Sequence, residues 1–503
     1  MLWGALLGLA VASAQAALAQ DVTLTSRNGA LAISGTLNSY DGLYFRISSA
    51  YGPLTIAADS VLCEGPACPD LLAPKAVIRL MGDKEAGEVL LPSLIETFAQ
   101  SRGFDLRLPG RDHGPTQLLQ KGSETVLAEF YFTPAAPQMA SIALSEQRAD
   151  LVIARFVPDD MLSQVLALDA LVPIVAPENP VTRITTANLA AALSGKIENW
   201  QDLGGPDMPL VLHGTSEISD LSSALGARLG EDMAPAQRHA DMADLATAVA
   251  RDPWALAVIG RANIGAARAL DLQDSCGFVL DPSPLAVMAQ DYPLAWPIYM
   301  LTPPRRLPVM TAEFLAFLAL PAAQNAMADR GFVARSLQTR PLAQDGQRLI
   351  NAVKTAAGAE ELARLQRLAQ VMETAQRTSF SFRFQEESNR LDPESQSHLA
   401  ELSQRIASGQ MDGARMILVG FSVETGSVEG EYIRSITQAE SVLAALKALA
   451  PDIAAEQWPR VDGFGAAMPL ACDKTPTGAK LNRRVELWLL PTREDGQKEA
   501  SDG

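Results

Sequence analysis

Apolar and polar positions change rhythm along this chain, and each change marks a different kind of element. Residues 21–72 alternate in short runs, VTLTS, ALAISGTL, LYFRIS and PLTIAA, separated by RNG, NSYDG and YGP. Alternation of period two, broken by Gly, Asn and Asp, predicts strands joined by hairpin turns and so a small antiparallel β unit. Between 73 and 345 strands alternate with helices. AVIRLMG reads as a strand, EVLLPSLIETFAQSRG as an amphipathic helix closed by Gly103, and ADLVIAR, LVPIVAP and ALAVIG as buried strands. EFLAFLAL and AAQNAMADRG then read as helices, and the whole predicts an α/β domain with a mainly parallel sheet.

Residues 346–377 lack Pro and space Leu, Ile, Val and Met as a helix does, which predicts a helical connector. In 378–492 the order is a strand (SFSFRF), a helix (LDPESQSHLAELSQRIAS), a strand (ARMILVGFS), a helix (YIRSITQAESVLAALKAL) and a strand (RRVELWLL). That β-α-β-α-β order predicts a compact α+β domain. The fold class is therefore multidomain, α/β plus α+β, followed by a tail at 493–503 expected to be disordered. At 503 residues the chain is too long for one core, in keeping with two to four domains.

Composition narrows the partners. The chain has 58 Asp+Glu against 41 Lys+Arg, a formal charge of -17. That balance argues against sequence-independent binding to nucleic acid or anionic lipid, which relies on Lys/Arg patches. Residues 1–20, MLWGALLGLAVASAQAALAQ, form an apolar run with A-x-A sites at Ala14–Ala16 and Ala17–Ala19, the pattern of a secretory signal peptide, although no Lys or Arg precedes it. An uncleaved anchor is the alternative, because the run is just long enough to span a bilayer. After cleavage the protein is expected in the periplasm or cell envelope, not integral to the membrane. Cys63 and Cys68, in CEGPAC, flank a Gly-Pro turn and point to a local disulfide, with a zinc site as the alternative; Cys276 and Cys472 are left open. The four His are scattered, and no G-x-S-x-G, metal-spaced His cluster or P-loop occurs. Neither an enzyme, a cofactor nor a metal is expected.

The stretch LALDALVPIVAPENPVTRITTANLAAALSGKIENWQDLGG at 166–205 closely resembles the phosphate-binding proteins of bacterial ABC transporters. DYPLAWPIYML and FLAFLALPAAQNAMADRGFV resemble the closing strand and helix of that family. The resemblance implies a type 2 periplasmic-binding-protein fold, two α/β lobes closing on a small solute. Such lobes hold anions with backbone N–H groups and hydroxyls at helix N-termini. The family's first hydroxyl-bearing loop falls here on Gly82-Asp83-Lys84-Glu85-Ala86-Gly87, where carboxylates replace the hydroxyls. Its second loop falls on Gly214-Thr215-Ser216-Glu217. Each carboxylate repels a phosphate dianion by on the order of 1–4 kcal/mol at contact. Lys84, His213 and above all Arg155, which matches the family's Ser-Arg position, are the candidates to offset this. An interlobe salt bridge is the other reading of Arg155. A cationic or zwitterionic solute, a peptide or no ligand remain open alternatives to phosphate.

Residues 378–492 resemble the OmpA-like peptidoglycan-associated domain. The resemblance is carried by Gly463-Phe464-Gly465, Pro469, Gly478 and Asn482-Arg483-Arg484-Val485-Glu486. It implies binding of a zwitterionic stem-peptide residue by an Asp after the central strand and an Arg in the next helix. Those positions fall on Ser422-Val423 and Gln438, so both charges are absent. Glu424, Arg434, Arg483 and Arg484 are the candidate substitutes, although Glu424 and Arg434 also suit a plain solvent-facing surface. The expected function is a non-enzymatic envelope protein that joins a solute-binding-like module to a cell-wall or outer-membrane-associated one. A scaffold with both sites degenerate and a phosphate-transport component are the alternatives.

Overall fold

The computed structural model describes residues 22–491 apart from 28, 41–43, 66, 69–74, 110–113, 159–160, 216–220, 235–236, 306, 357, 386–387 and 389. The expected signal peptide at 1–20 and the tail at 493–503 lie outside the described residues.

Residues 22–64 form a five-stranded antiparallel sheet in the order Gly52–Ala57, Tyr44–Ser49, Ala32–Tyr40, Val22–Ser26, Val61–Glu64. Its core is small: Val22, Leu24, Phe45, Ile47 and Val61. It leans on the next domain, where Tyr40 N donates to Glu313 Oε1 at 3.1 Å. Glu313, on helix Val309–Phe317, also pairs with Arg102 at 2.5 Å. The Cys63–Cys68 disulfide is present, with Cα atoms 5.7 Å apart.

Two lobes share one long sheet. Strands Leu151–Ala154, Ala76–Gly82 and Val126–Pro134 run parallel in the first lobe, and Val211–Thr215 lies parallel to Ala255–Gly260 and Gln237–His239 in the second. Strand Leu162–Val175 joins them. Its first part pairs with Ala295–Thr302 (Leu162↔Thr302 to Ala170↔Ala295), and its second part with Ala255–Gly260. The cores are separate. Leu80, Leu94, Phe98, Phe130 and Phe314 anchor the first lobe, and Leu171, Ile174, Trp200, Leu245 and Leu256 the second. The architecture is the two-lobed, periplasmic-binding-protein-like α/β fold.

The C-terminal sheet runs Thr339–Pro341, Gln376–Arg383, Arg484–Leu490, Arg415–Phe421, Arg460–Gly463. Helices Pro393–Ala407 and Val428–Leu449 cover one face, over Phe380, Phe382, Leu418, Val485 and Leu487. The segment expected as a connector forms two helices, Gly346–Thr355 and Ala359–Met372, interrupted around Gly358. They lie on the sheet's other face: Leu365, Leu368 and Met372 pack with Ile417, Val419, Phe421 and Trp488. Their apolar stripe is thus part of the C-terminal core. Strand Thr339–Pro341, before the expected boundary at 345, already belongs to this sheet. A second disulfide, Cys276–Cys472, ties the second lobe to the C-terminal unit.

Candidate functional site

Ligand sites in open α/β sheets form beyond the carboxyl ends of parallel strands. At that end of the first lobe, strand Ala76–Gly82 turns directly into helix Lys84–Arg102. Gly82 makes the turn possible: its φ is +129°, and a Cβ there would sit 1.9 Å from the Ile153 carbonyl oxygen. Asp83 caps the helix, its Oδ1 accepting from Ala86 N at 2.8 Å. Its other oxygen faces Arg155, at the end of strand Leu151–Ala154, with Arg155 Nε 3.5 Å from Asp83 Oδ2 and both side chains 3% exposed. The Arg155 guanidinium lies over the Trp296 ring, 3.6 Å from its centroid. Nε and Nη1 of Arg155 have no hydrogen-bond partner among the described residues.

Two more carboxyls share this environment. Glu85 is buried, and burial followed by the Asp83 charge pushes its carboxyl up. Asp169, opposite Trp296 in the strand register, is 1% exposed, and its Oδ1 accepts from Ala170 N at 2.8 Å. Burial pushes the Asp169 carboxyl up while the Arg155 guanidinium pulls it down. Arg155 thus pairs with Asp83 and also acts on two further buried carboxyls, Glu85 and Asp169, the latter with help from Arg261.

Arg155 pairs within its own lobe, so the interlobe salt bridge raised by the sequence is not the arrangement found. Lys84 occupies the first position of the helix and is half-buried. His213 is held inside the second lobe: its Nδ1 lies 2.9 Å from His239 Nε2, the rings stack at 5.1 Å, and its Nε2 is 3.7 Å from Asp252 Oδ2. Burial, reinforced by His239, pushes its imidazole down, while Asp252 opposes this. Thr215 ends strand Val211–Thr215, buried, and its Oγ1 has no hydrogen-bond partner among the described residues. Ser216 lies outside the described residues. Sequence reasoning missed Asp169 and Trp296. The signal available was an Asp inside an otherwise apolar run, LALDALVPIV.

The C-terminal candidates separate into surface and core. Ser422 is buried, donating Oγ to Glu431 O at 3.1 Å, and Val423 is half-buried. Glu424 is exposed, and its backbone N donates to Asp473 Oδ2 at 2.8 Å. Arg434 donates to Thr425 Oγ1 at 2.6 Å. The buried Gln438 amide, oriented to donate to Phe421 O at 3.1 Å, accepts from Arg483 Nε at 2.9 Å. A guanidinium therefore does reach Gln438, from Arg483, and that group also donates to Gln385 O and Ser388 O. Arg484 is a correction: it is 0% exposed, bound to Glu486 at 2.7 Å and to Met468 O at 3.0 Å, and cannot touch a wall polymer. The acids missed from sequence are Glu431, which accepts from Thr425 N at 2.7 Å, and Asp473. Both line a 230 Å³ cavity with Glu424, Arg364, Lys474 and the Cys276–Cys472 bridge.

Residues 73–322, the two-lobed part of the chain, match the PBP superfamily domain. The match ends there and does not extend to the C-terminal unit. Among individual proteins, the phosphate-binding protein PstS of Borreliella burgdorferi is 54% identical over 43 residues, a stretch that is 8% of this chain and 15% of that protein. The chain thus spans well under two thirds of that relative's length. The ABC-type phosphate transport receptor from Vibrio cholerae is 20% identical, with a TM-score of 0.41 covering 51% of this chain and 99% of that one. A putative phosphate ABC transporter substrate-binding protein with bound phosphate from Clostridium perfringens is 16% identical, with a TM-score of 0.43 over 52% and 100%.

Proposed function

We propose that this chain is a non-enzymatic solute-binding protein of the cell envelope, receiving between its lobes a small solute that carries both an acidic oxygen and a hydrogen-bond donor. One observation carries the reading: among the described residues, buried Arg155 keeps Nε and Nη1 without hydrogen-bond partners, beside the N-terminus of helix Lys84–Arg102. Buried guanidinium donors left unmade are costly, and a ligand oxyanion would satisfy them. The buried carboxyls of Asp83, Glu85 and Asp169 disfavour a bare polyanion and favour a solute whose own hydroxyl or ammonium can meet an acid. Phosphate, in a form that keeps a proton, is one member of that class; amino acids and hydroxy acids are others.

Calorimetric titration of the full chain with phosphate, lactate and a panel of amino acids tests it. At least one solute should bind, and Arg155→Ala should weaken that solute by about 30-fold or more, the cost of about 2 kcal/mol for a charge-assisted contact. If no solute binds, or if the variant binds as well as the parent, the reading fails.

For the C-terminal unit we propose attachment to the cell wall. The observation favouring it is that charges of both signs, Glu424, Glu431, Asp473, Arg364 and Lys474, gather around one cavity in the frame that resembles peptidoglycan-associated domains. The full chain should sediment with purified sacculi and be released by soluble muropeptide. Recovery of all the protein in the supernatant would leave an envelope scaffold as the reading.

A further inference from the structure

Between the second lobe and the C-terminal unit lies a cavity of 350 Å³. Its lining divides by chemistry. Leu270, Leu272, Val279, Leu280 and Leu470 are apolar, whereas Arg340, Arg348 and Arg377 are cationic and Asp281, Asp291 and Asp345 anionic. A volume of this size suits a small organic molecule.

The charges behind that lining form one connected, buried cluster. Arg348 contacts Asp345 and Glu486, both at 2.8 Å. Arg377 contacts Asp291, and its Nε lies 3.2 Å from Glu486 Oε2. Arg383 shares Asp291 at 2.6 Å, and Arg484 shares Glu486 at 2.7 Å. Arg348, Arg377, Arg383 and Arg484 are 7%, 1%, 2% and 0% exposed, and Asp291, Asp345 and Glu486 are 6%, 4% and 0% exposed. Four guanidiniums thus meet three carboxylates. Half-buried Arg340 adds a cation together with its partner Asp281, at 2.8 Å, and leaves the excess unchanged. Asp271, the remaining acid of the lining, is exposed.

An unmatched buried charge is among the costliest arrangements a fold can hold. The hydrogen-bond pattern shows the same deficit. Nε of Arg348 and of Arg383 has no hydrogen-bond partner among the described residues, and Arg348 lines the cavity.

We propose that this cavity is a second ligand site, for a small organic monoanion: a carboxylate that supplies the missing charge at Arg348 and Arg377, joined to an apolar body resting on Val279 and Leu280. The site is separate from the one at Arg155, and the proposal does not depend on solute binding there.

Calorimetry of the full-length, oxidised protein with hexanoate tests it, with hexanol and with chloride at matched ionic strength as controls. Hexanoate should bind with one site per chain, and neither control should do so. Val279→Phe fills the apolar part of the cavity and should weaken hexanoate at least tenfold, while Arg155→Ala should leave it unchanged. Ala286→Leu, on the same lining, gives a second filled cavity should Val279→Phe misfold by circular dichroism. The proposal is overturned if hexanoate fails to bind, if hexanol or chloride matches it, if folded filled-cavity variants bind normally, or if Arg155→Ala abolishes binding.

Discussion

Glu486 is wholly buried and meets three guanidiniums, Arg348 and Arg484 at Oε1 and Arg377 at Oε2, which also accepts from Trp488 Nε1 at 3.0 Å. Burial alone would push its carboxyl up; the three cations override this and hold it far below the usual carboxylate range. A folded-state value below the unfolded one stabilises the fold above the unfolded carboxylate range, about 4.3, and the gain is lost as the pH falls from there toward the folded value. Glu486→Gln should therefore cost about 3–5 kcal/mol at pH 7, because it strands buried cations. It should also flatten the loss of stability below about pH 4. Urea unfolding of parent and variant at pH 7 and pH 3.5 measures both; equal stabilities at pH 7 would refute the assignment. Sequence resemblance marked Asn482, Arg484 and Glu486 as a signature, but not their job. Asn482 Oδ1 accepts from Leu470 N at 2.7 Å, so the motif is internal scaffolding. Residue type alone gives no hint that an arginine points inward, since the partners that make burial tolerable lie far off in sequence.

At the scale of elements, periodicity was a good guide wherever water faces one side. Helix Lys84–Arg102 ends at Gly103, as its pattern predicts. The exception is instructive. Strand Gln376–Arg383 alternates apolar and polar residues, which signals one wet face, yet both faces are buried. The polar face, Arg377 and Arg383, closes on Asp291 of the second lobe, so an alternating strand became an interface strand. Strand Leu162–Val175 was legible only in its apolar second half, because its first half gains its partner from Ala295–Thr302, far away in sequence. Helix Val428–Leu449 packs so closely on strand Arg415–Phe421 that a Cβ at Gly420 would lie 1.8 Å from the Ser435 carbonyl oxygen. Backbone cannot yield as a side chain can. Gly420→Ala should thus destabilise the C-terminal unit by about 2–3 kcal/mol, read as an earlier thermal transition. An unchanged transition would mean that the helix is not seated this way.

For the whole molecule, the contacts described here make the C-terminal unit a companion of the second lobe. Arg377, Arg383 and the Cys276–Cys472 bridge all fasten it to that lobe, while the N-terminal sheet is fastened to the first through Glu313. Any closure of the lobes about Leu162–Val175 would carry the two appended units with their respective lobes. The two-lobed plan could be read from sequence because its motifs are local. The joint between second lobe and C-terminal unit could not, because its residues come from 270–295, 340–383 and 470–486 and no single stretch records it.

The long bridge also has a history in time. Cys276 precedes Cys472 by 196 residues, whereas Cys63 and Cys68 are five apart. At about 5–20 residues per second of synthesis, Cys276 waits on the order of ten to forty seconds for its partner to exist. During that wait the nearer thiols are its only rivals within the chain. If the short bridge closes first, those rivals are gone and Cys472 is the one remaining partner for Cys276, so the order of closure decides whether the long bridge can mispair.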